Sequence, residues 1–349
     1  MLTRDVMRST TRGFERYYNP VVGNAVRLDT NTNVLGSNPA AYEFLKHPVD
    51  GLDGYPNTYS DNLRDALAGL YGLERENFVA GNGSDEMLDL IFKTFTEWGD
   101  MSTIPAPSYT LYDYFISVNG GKTSFVDLTE DFQLDVDAML KPKSKIMLIP
   151  SPNNPTGNTF RSKDLEEILT NFDGIMVVDE AYAEYAEDSM LKRVNEFDNL
   201  IVLRTFSKAY AMAALRVGYA VSNLNVAGMM NDVKIPYSLD KISELAATAA
   251  VKDQSFIERS VSMVKEQRPL LMDGLRKLGF EPFPSDANFI LARAPIDHKV
   301  LVDGLKEKGV LIRDFGSKRR TENCVRMTVG TKELNDMLLE KMAEVIDGC

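Results

Sequence analysis

The 349-residue chain is poor in several side chains that commonly carry chemistry. It has two histidines, His47 and His298, far apart in sequence, so a zinc centre built on paired histidines is not available and no metal is expected. Neither histidine lies in a nucleophile-elbow setting, which argues against a Ser-His-Asp hydrolase. Its two cysteines, Cys324 and Cys349, make no disulfide framework and suit a reducing cytoplasm. Basic charge is short as well: 39 Lys and Arg against 51 Asp and Glu leave a net charge of −12, the wrong sign for a nucleic-acid partner. No run of about 18 apolar residues occurs, so nothing is expected to span a membrane. The stretch from Met1 to Tyr18 carries four arginines and no apolar core, unlike a secretory signal.

What is present is an ordinary globular composition, 44% apolar and 26% charged, at a length sufficient for two domains. From about 60 to 221, short apolar runs alternate with helical patterns. Phe78–Ala80, a strand beginning at Thr103-Ile104, Lys145–Ile149, Gly174–Val178, Leu200–Leu203 and Val217–Val221 read as strands. Asp61–Tyr71 and Lys163–Thr170 read as helices, with leucines on one face. That alternation predicts a mainly parallel sheet covered by helices on both faces. Residues 240–278 read as long helices. Beyond them come strands at Asn288–Leu291, Val310–Arg313 and Cys324–Val329, with helices near 298–308 and 332–346, a smaller α+β unit. The triplet Lys318-Arg319-Arg320 reads as a solvated loop.

Four stretches could carry chemistry. Gly81-Asn-Gly-Ser-Asp-Glu86 ends a strand and opens a helix, which leaves amide groups aimed at one point, an anion site. Taken alone, it reads first as an ordinary cap by Ser84 or Asp85. No third glycine completes a dinucleotide fingerprint, and the Gly-Lys-Ser/Thr of a P-loop is missing. Pro150-Ser-Pro-Asn-Asn154-Pro-Thr-Gly157 fixes an extended, then turned backbone that holds the Asn154 amide. Asp179-Glu-Ala-Tyr182 follows a fully apolar strand, where open α/β sheets bind ligands, and a buried carboxylate there needs a cationic partner. Arg204 to Tyr219 puts Ser207, Lys208 and Arg216 on a loop between two strands. These could supply an amine, a hydroxyl and a guanidinium to a phosphorylated aldehyde. Taken alone, Ser207-Lys208 is a solvated surface pair, and Tyr109, Tyr112 and Tyr114 are core or rim residues.

Ser-Pro-Asn-Asn-Pro-Thr-Gly (151–157), Asp-Glu-Ala-Tyr (179–182) and Arg-Thr-Phe-Ser-Lys-Ala-Tyr (204–210) appear in this order, followed by Leu311-Ile-Arg-Asp314 and Val325-Arg-Met-Thr-Val-Gly-Thr331. The chain thereby resembles, over nearly its whole length, the fold-type I pyridoxal-phosphate aminotransferases, and most closely the histidinol-phosphate subgroup. The resemblance implies a seven-stranded, mainly parallel sheet in a large domain. It also implies pyridoxal 5'-phosphate as cofactor, with Lys208 bonding its aldehyde and then moving the substrate proton. Asp179 would pair with the ring nitrogen, Tyr182 and Asn154 would reach the ring's phenolic oxygen, and Tyr109 would stack on the ring. Ser84, Asp85, Ser207 and Arg216 would hold the phosphate, with Tyr55 arriving from a second subunit of a homodimer. Arg326 would clamp a carboxylate, and Arg313 with Tyr17 or Tyr18, and Asn33, would line the rest of the substrate site.

The same resemblance divides the chain into an arm over 1–40 that packs with the small domain, a cofactor-binding domain over 41–240 and a small domain over 241–349. It implies amino transfer between glutamate or 2-oxoglutarate and histidinol phosphate, in histidine biosynthesis. Two alternatives share the frame: an aromatic amino-acid aminotransferase, and a decarboxylase of a phosphorylated amino acid. A non-catalytic regulator that senses the cofactor would need a DNA-binding domain, for which neither room nor basic charge exists. The chain departs from the subgroup where Asn31-Thr32-Asn33-Val34 replaces the usual Asn-Glu-Asn-Pro and Tyr237-Ser-Leu-Asp240 replaces an Asn-Val-Asn stretch.

Overall fold

The computed structural model describes residues 4–15 and 23–349. A two-residue strand, β1 (Val26–Arg27), precedes helices α1 (Pro39–Leu45) and α2 (Asp61–Tyr71). The large sheet then forms from β2 (Phe78–Asn82), β3 (Met101–Ala106), β4 (Lys122–Asp127), β5 (Ile146–Pro150), β6 (Ile175–Asp179), β7 (Leu200–Thr205) and β8 (Val217–Ser222). Between these strands run α3 (Gly83–Phe95), α4 (Leu111–Val118), α5 (Val136–Leu140) and α6 (Ser162–Asn171). The strand order is β2-β8-β7-β6-β5-β3-β4, parallel except that β8 runs against both its neighbours. The expected mainly parallel seven-stranded sheet is therefore present, with one reversed strand.

The sheet is buried on both faces, and alternate residues of each strand serve different cores. Met147, Ile149, Met176, Val178, Leu200 and Val202 face one side with α6 and α8 (Lys241–Lys252), which follows α7 (Leu224–Val233). Ile146, Leu148, Val177, Ile201 and Leu203 face the other, with Leu88, Ile91 and Phe92 of α3 and Ile116 of α4. Strand β4 escaped the sequence reading because it is an edge: Lys-Thr-Ser-Phe-Val-Asp has no apolar run and its side chains are half-buried or exposed.

The long α9 (Ser255–Lys277) leads into a four-stranded sheet of order β12-β13-β10-β9, made of β9 (Glu281–Pro282), β10 (Phe289–Arg293), β12 (Arg313–Asp314) and β13 (Cys324–Thr328). Helices α10 (His298–Glu307) and α11 (Lys332–Asp347) complete this part. One sequence expectation is corrected here: Val310–Arg313 is not a single strand. The chain changes partner at Ile312. Strand β11 (Val310–Leu311) pairs in parallel with β1, whereas β12 pairs antiparallel with β13.

The N-terminal residues divide between two surfaces. Residues 26–31 lie on the small-sheet side: Thr328 donates its amide to Leu28 O at 2.8 Å. Residues 4–15 lie elsewhere, so the expectation of one arm packed on the small domain does not describe them. Phe14 packs against Tyr114 of α4, the rings tilted by 31° with centres 5.1 Å apart, and the Arg8 guanidinium sits 5.9 Å from the centre of the Trp98 ring. Aromatic faces on the large-sheet side draw them there.

A joint between the two sheets forms where the loop after β5 meets the loop before β10. Asp286 donates its amide to Gly157 O at 2.7 Å, and its carboxylate accepts from Thr159 N at 2.9 Å and Thr159 Oγ1 at 2.7 Å. Asp286→Ala leaves these donors unmet. It is expected to cost about 1–3 kcal/mol and to lower the thermal unfolding midpoint by a few degrees, measured by calorimetry.

Candidate active site

A cavity of about 500 Å³ opens beyond the C-terminal ends of β5, β6 and β7, at the N-terminus of α3. Its far wall comes from Arg313, Phe315 and Arg326, and residues 29–32 close one side.

The connection from β7 to β8 delivers Lys208. It is stitched by Phe206 N to Val217 O at 3.0 Å, Met212 N to Phe206 O at 2.9 Å and Ala211 N to Lys208 O at 3.0 Å. Phe206, Ala209 and Tyr210 are buried in the core, which leaves Ser207 and Lys208 facing the cavity. Lys208 Nζ donates to Thr30 O at 3.1 Å and lies 5.5 Å from the centre of the Tyr182 ring. The Tyr182 hydroxyl accepts from Asn31 Nδ2 at 3.0 Å.

Asp179 closes β6 and is only 6% exposed. Its carboxylate accepts from the Tyr112 hydroxyl at 2.7 Å and from Ala181 N at 3.1 Å. Burial raises its pKa to about 6; the two hydrogen bonds pull the other way, and the nearby charges of Asp85 and Glu180 push it further up. Tyr109 sits edge-on to Tyr112, ring centres 5.3 Å apart, and also lines the cavity.

An anion cradle lies at the start of α3. Gly83 has φ +82°, and a Cβ there would meet Arg216 Nη2 at 2.8 Å. A Cβ on Gly218 would meet Ser84 N at 2.2 Å, so β8 approaches the helix start only because that residue is glycine. Arg216, itself left-handed at φ 53°, donates to Asp85 Oδ2 at 3.0 Å. Helix amides at Ser84 and Asp85, the Ser207 hydroxyl and this guanidinium converge as a phosphate site does.

At the opposite end, Arg326 is 6% exposed. It donates to Asn154 Oδ1 at 2.6 Å and to Asp29 O at 2.7 Å, with its guanidinium 5.2 Å from the Phe289 ring and 5.3 Å from Phe315. Asn154 thus spends its carbonyl on Arg326 and keeps its amide nitrogen for the cavity.

Beneath the cavity lies a buried ionic cluster. Arg204 of β7 meets Glu180 at 2.8 Å, Glu184 at 2.9 Å and Ser189 Oγ at 2.9 Å. Glu180 accepts further bonds from Ser189 Oγ at 2.7 Å and Met190 N at 2.5 Å. Burial works against the Arg204 charge, but the two carboxylates more than offset it, and the guanidinium stays protonated. Burial raises the Glu184 pKa, against the pull of Arg204.

The sequence-derived positions do not all meet here. Asn33 is corrected: it is absent from the cavity wall. Its amide donates to Ala209 O at 3.1 Å and Ser260 Oγ at 2.7 Å, while its carbonyl accepts from Leu35 N at 3.0 Å, so the side chain is spent holding its own segment against the lysine loop. Tyr55 is 84% exposed and stacked on Tyr237 at 4.9 Å, away from the cavity of its own chain. Tyr17 and Tyr18 lie outside the described residues. Sequence reading missed Asn31, the Thr30 carbonyl, Phe315 and the role of Tyr112. Only Tyr112 left a signal, as a tyrosine three residues after Tyr109 on a helix; nothing in the linear order ties it to Asp179.

The family described as aminotransferase class I and II matches residues 25–342. A histidinol-phosphate aminotransferase of Thermoanaerobacter sp. (strain X514) is 34% identical over 352 residues, covering 99% of this chain and 100% of that protein. One from Methanocella arvoryzae is 36% identical over 326 residues, covering 92% and 90%. The crystal structure of histidinol-phosphate aminotransferase from Sinorhizobium meliloti in complex with pyridoxal-5'-phosphate superposes with a TM-score of 0.86 at 25% identity, over 93% of this chain and 91% of that one. A lysine and a buried aspartate at the ends of adjacent strands, carried on a sheet that is shared with these proteins, agree with the sequence match: the chain belongs to the class I and II aminotransferases.

Proposed function

We propose that this chain is a pyridoxal-phosphate-dependent aminotransferase whose physiological reaction moves an amino group between histidinol phosphate and 2-oxoglutarate. The observation that carries the cofactor reading is that one cavity is lined by Lys208, by a buried Asp179 and by a cradle for a phosphate. The residues suit the cofactor: Asp179 has only uncharged hydrogen-bond donors, which a ring N–H⁺ would complement, and the glycines at 83 and 218 keep the cradle open. When bound, the cofactor supplies an electron sink for the charge left by the departing substrate proton.

The chain's own residues do the rest. The Ser84 and Asp85 amides, the Ser207 hydroxyl and Arg216 would bind the phosphate end, and Tyr109 would lie against the ring. Asp179 keeps the ring nitrogen protonated. Asn154 Nδ2 and the Tyr182 hydroxyl orient the phenolic oxygen, with Asn31 fixing Tyr182. Lys208 Nζ takes and returns the substrate proton. Arg326, oriented by Asn154 and the Asp29 carbonyl, receives a carboxylate, or a phosphate in its place, with Arg313 beside it. A homodimer is part of this reading: Leu52, Tyr55, Tyr59, Ile235 and Tyr237 are exposed apolar side chains suited to a second copy, which would bring Tyr55 to its partner's phosphate site. A cytoplasmic setting suits the two free cysteines.

A single-turnover panel of amino donors, followed by the cofactor's visible absorbance, tests the substrate. Glutamate and histidinol phosphate should each discharge the absorbance. Reaction with phenylalanine but not histidinol phosphate would move the assignment to aromatic amino acids, and carbon dioxide release without any keto-acid requirement would move it to decarboxylation. Lys208→Ala should lose the absorbance of the lysine-bound cofactor and reduce kcat/KM by at least about 10²–10⁴-fold.

The cofactor-free protein offers a pH test. Folded Asp179 holds its proton up to about pH 6, whereas an unfolded aspartate releases it near 3.9. Between these values the folded state binds more protons, so stability falls as pH rises through the window and stays low above it. Asp179→Asn should therefore make the cofactor-free protein more stable at pH 8, and leave it little changed at pH 4, by urea unfolding. The same substitution should weaken cofactor retention.

A further inference from the structure

The triplet Lys318-Arg319-Arg320 has no part in the site described above, yet it lies on the loop that follows β12, which carries Arg313 and Phe315 into the cavity wall. That loop is a stiff body. Lys318 N donates to Phe315 O at 2.9 Å, Thr321 N to Lys318 O at 3.2 Å and Thr321 Oγ1 to Phe315 O at 2.9 Å, with Thr321 fully buried. Arg320 is held in the left-handed region at φ 65°, its amide bonded to Glu322 Oε1 at 2.9 Å. These bonds tie Lys318 and Thr321 directly to the Phe315 carbonyl.

Both ends are tied, to different sheets. On the small-sheet side, His298 Nδ1 lies 2.8 Å from Asp314 Oδ1, Phe315 N donates to Cys324 O at 3.0 Å, and Gly316 is so close to the His298 ring that a Cβ would sit 2.2 Å from it. On the large-sheet side, Arg319 forms an ion pair with Asp127, the last residue of β4, and Arg320 Nη2 donates to Thr129 O at 3.1 Å. The other Asp127 oxygen is buried without a hydrogen-bond partner among the described residues, which leaves Arg319 as its counter-charge.

We infer that Arg319 and Arg320 are positioning residues, which clamp the 315–321 loop to the end of β4 and so hold Arg313 and Phe315 in register with the far end of the cavity. The inference rests on the reading of that cavity as the substrate site. Arg319 is 71% exposed, and an exposed ion pair contributes little to folding. Its leverage is geometric, because small displacements of a substrate-holding group cost binding. The clamp is also electrostatic and therefore weakened by salt.

Two measurements on the full chain test it. The first is independent of activity: Lys318, Arg319 and Arg320 are tryptic sites, so trypsin nicking of the loop reports its release. Asp127→Ala leaves the tryptic sites intact and should raise the nicking rate about fivefold, as should added salt in the wild-type protein. Equal rates in the variant and the wild type would overturn the clamp. The second uses the cofactor-loaded enzyme. Arg319→Asp and Asp127→Arg should each raise KM for the amino donor roughly three- to tenfold, with kcat within about twofold and the thermal midpoint unmoved. The charge swap carrying both substitutions should bring KM back to within about twofold of wild type. A KM unmoved by either single reversal, or a swap as impaired as the two losses combined, would overturn the positioning role. A wild-type enzyme that reacts with no amino donor would instead count against the proposed function, and the nicking comparison would still decide the clamp.

Discussion

The site depends first on the buried contact between Arg204 and the Glu180–Glu184 pair. Arg204 stands four residues before Lys208, and Glu180 directly follows Asp179. The contact therefore pins together the two strand ends that carry the proposed base and the proposed ring-nitrogen partner. Removing one member of such a buried pair typically costs about 3–5 kcal/mol, because the remaining charge is stranded. Here the guanidinium is met on two sides by carboxylates and on a third by Ser189, so little freedom remains in either strand end. The β7–β8 connection is bonded to itself and anchored by Phe206 and Tyr210 in the core, and so presents Ser207 and Lys208 to the cavity.

The sheet was legible in the sequence where strands are buried on both faces. Ile175–Val178 and Leu200–Leu203 are unbroken apolar runs because helices cover both sides, and a run of that kind needs no partner to be recognised. Strand β4 was not legible, since an edge strand packs one neighbour and tolerates Lys122 and Ser124. The break at Ile312 was hidden for another reason. Val310 to Arg313 has the composition of a strand throughout, and only the arrival of β1 from nearly 300 residues away splits it. Reversal of β8 likewise leaves no mark in its own letters, since an apolar run reads as a strand in either direction.

Chemistry was legible where consecutive residues carry it. Asp179-Glu-Ala-Tyr182 and Ser207-Lys208 are local, and the structure brings them to one cavity. What escaped was every contact that depends on a main-chain carbonyl or on a distant turn. The carbonyls of Thr30 and Asp29 hold Lys208 and Arg326, and a carbonyl has no signature in sequence. Asn33 was misplaced by the same limit: two asparagines flank Thr32, and which one faces Tyr182 follows from Asn31 adopting φ 55°.

Adjacent positions in this fold have opposite electrostatic fates, and that contrast separates structural from functional charge. Glu180 is answered by an arginine, a hydroxyl and an amide; its neighbour Asp179 is met by a phenol and one amide, both uncharged. Arg204 is met by carboxylates, whereas Lys208 is bonded to a carbonyl. A buried charge that already has its opposite can stabilise the scaffold but has nothing left to offer a ligand. A buried carboxyl held only by neutral donors carries a standing cost, visible in the rise of its pKa to about 6. A cation brought into the cavity relieves that cost, so affinity for positive charge at this point is built into the fold before any ligand arrives. The ion cluster below holds that acid in position, and Tyr112 keeps it from escaping the strain by turning away.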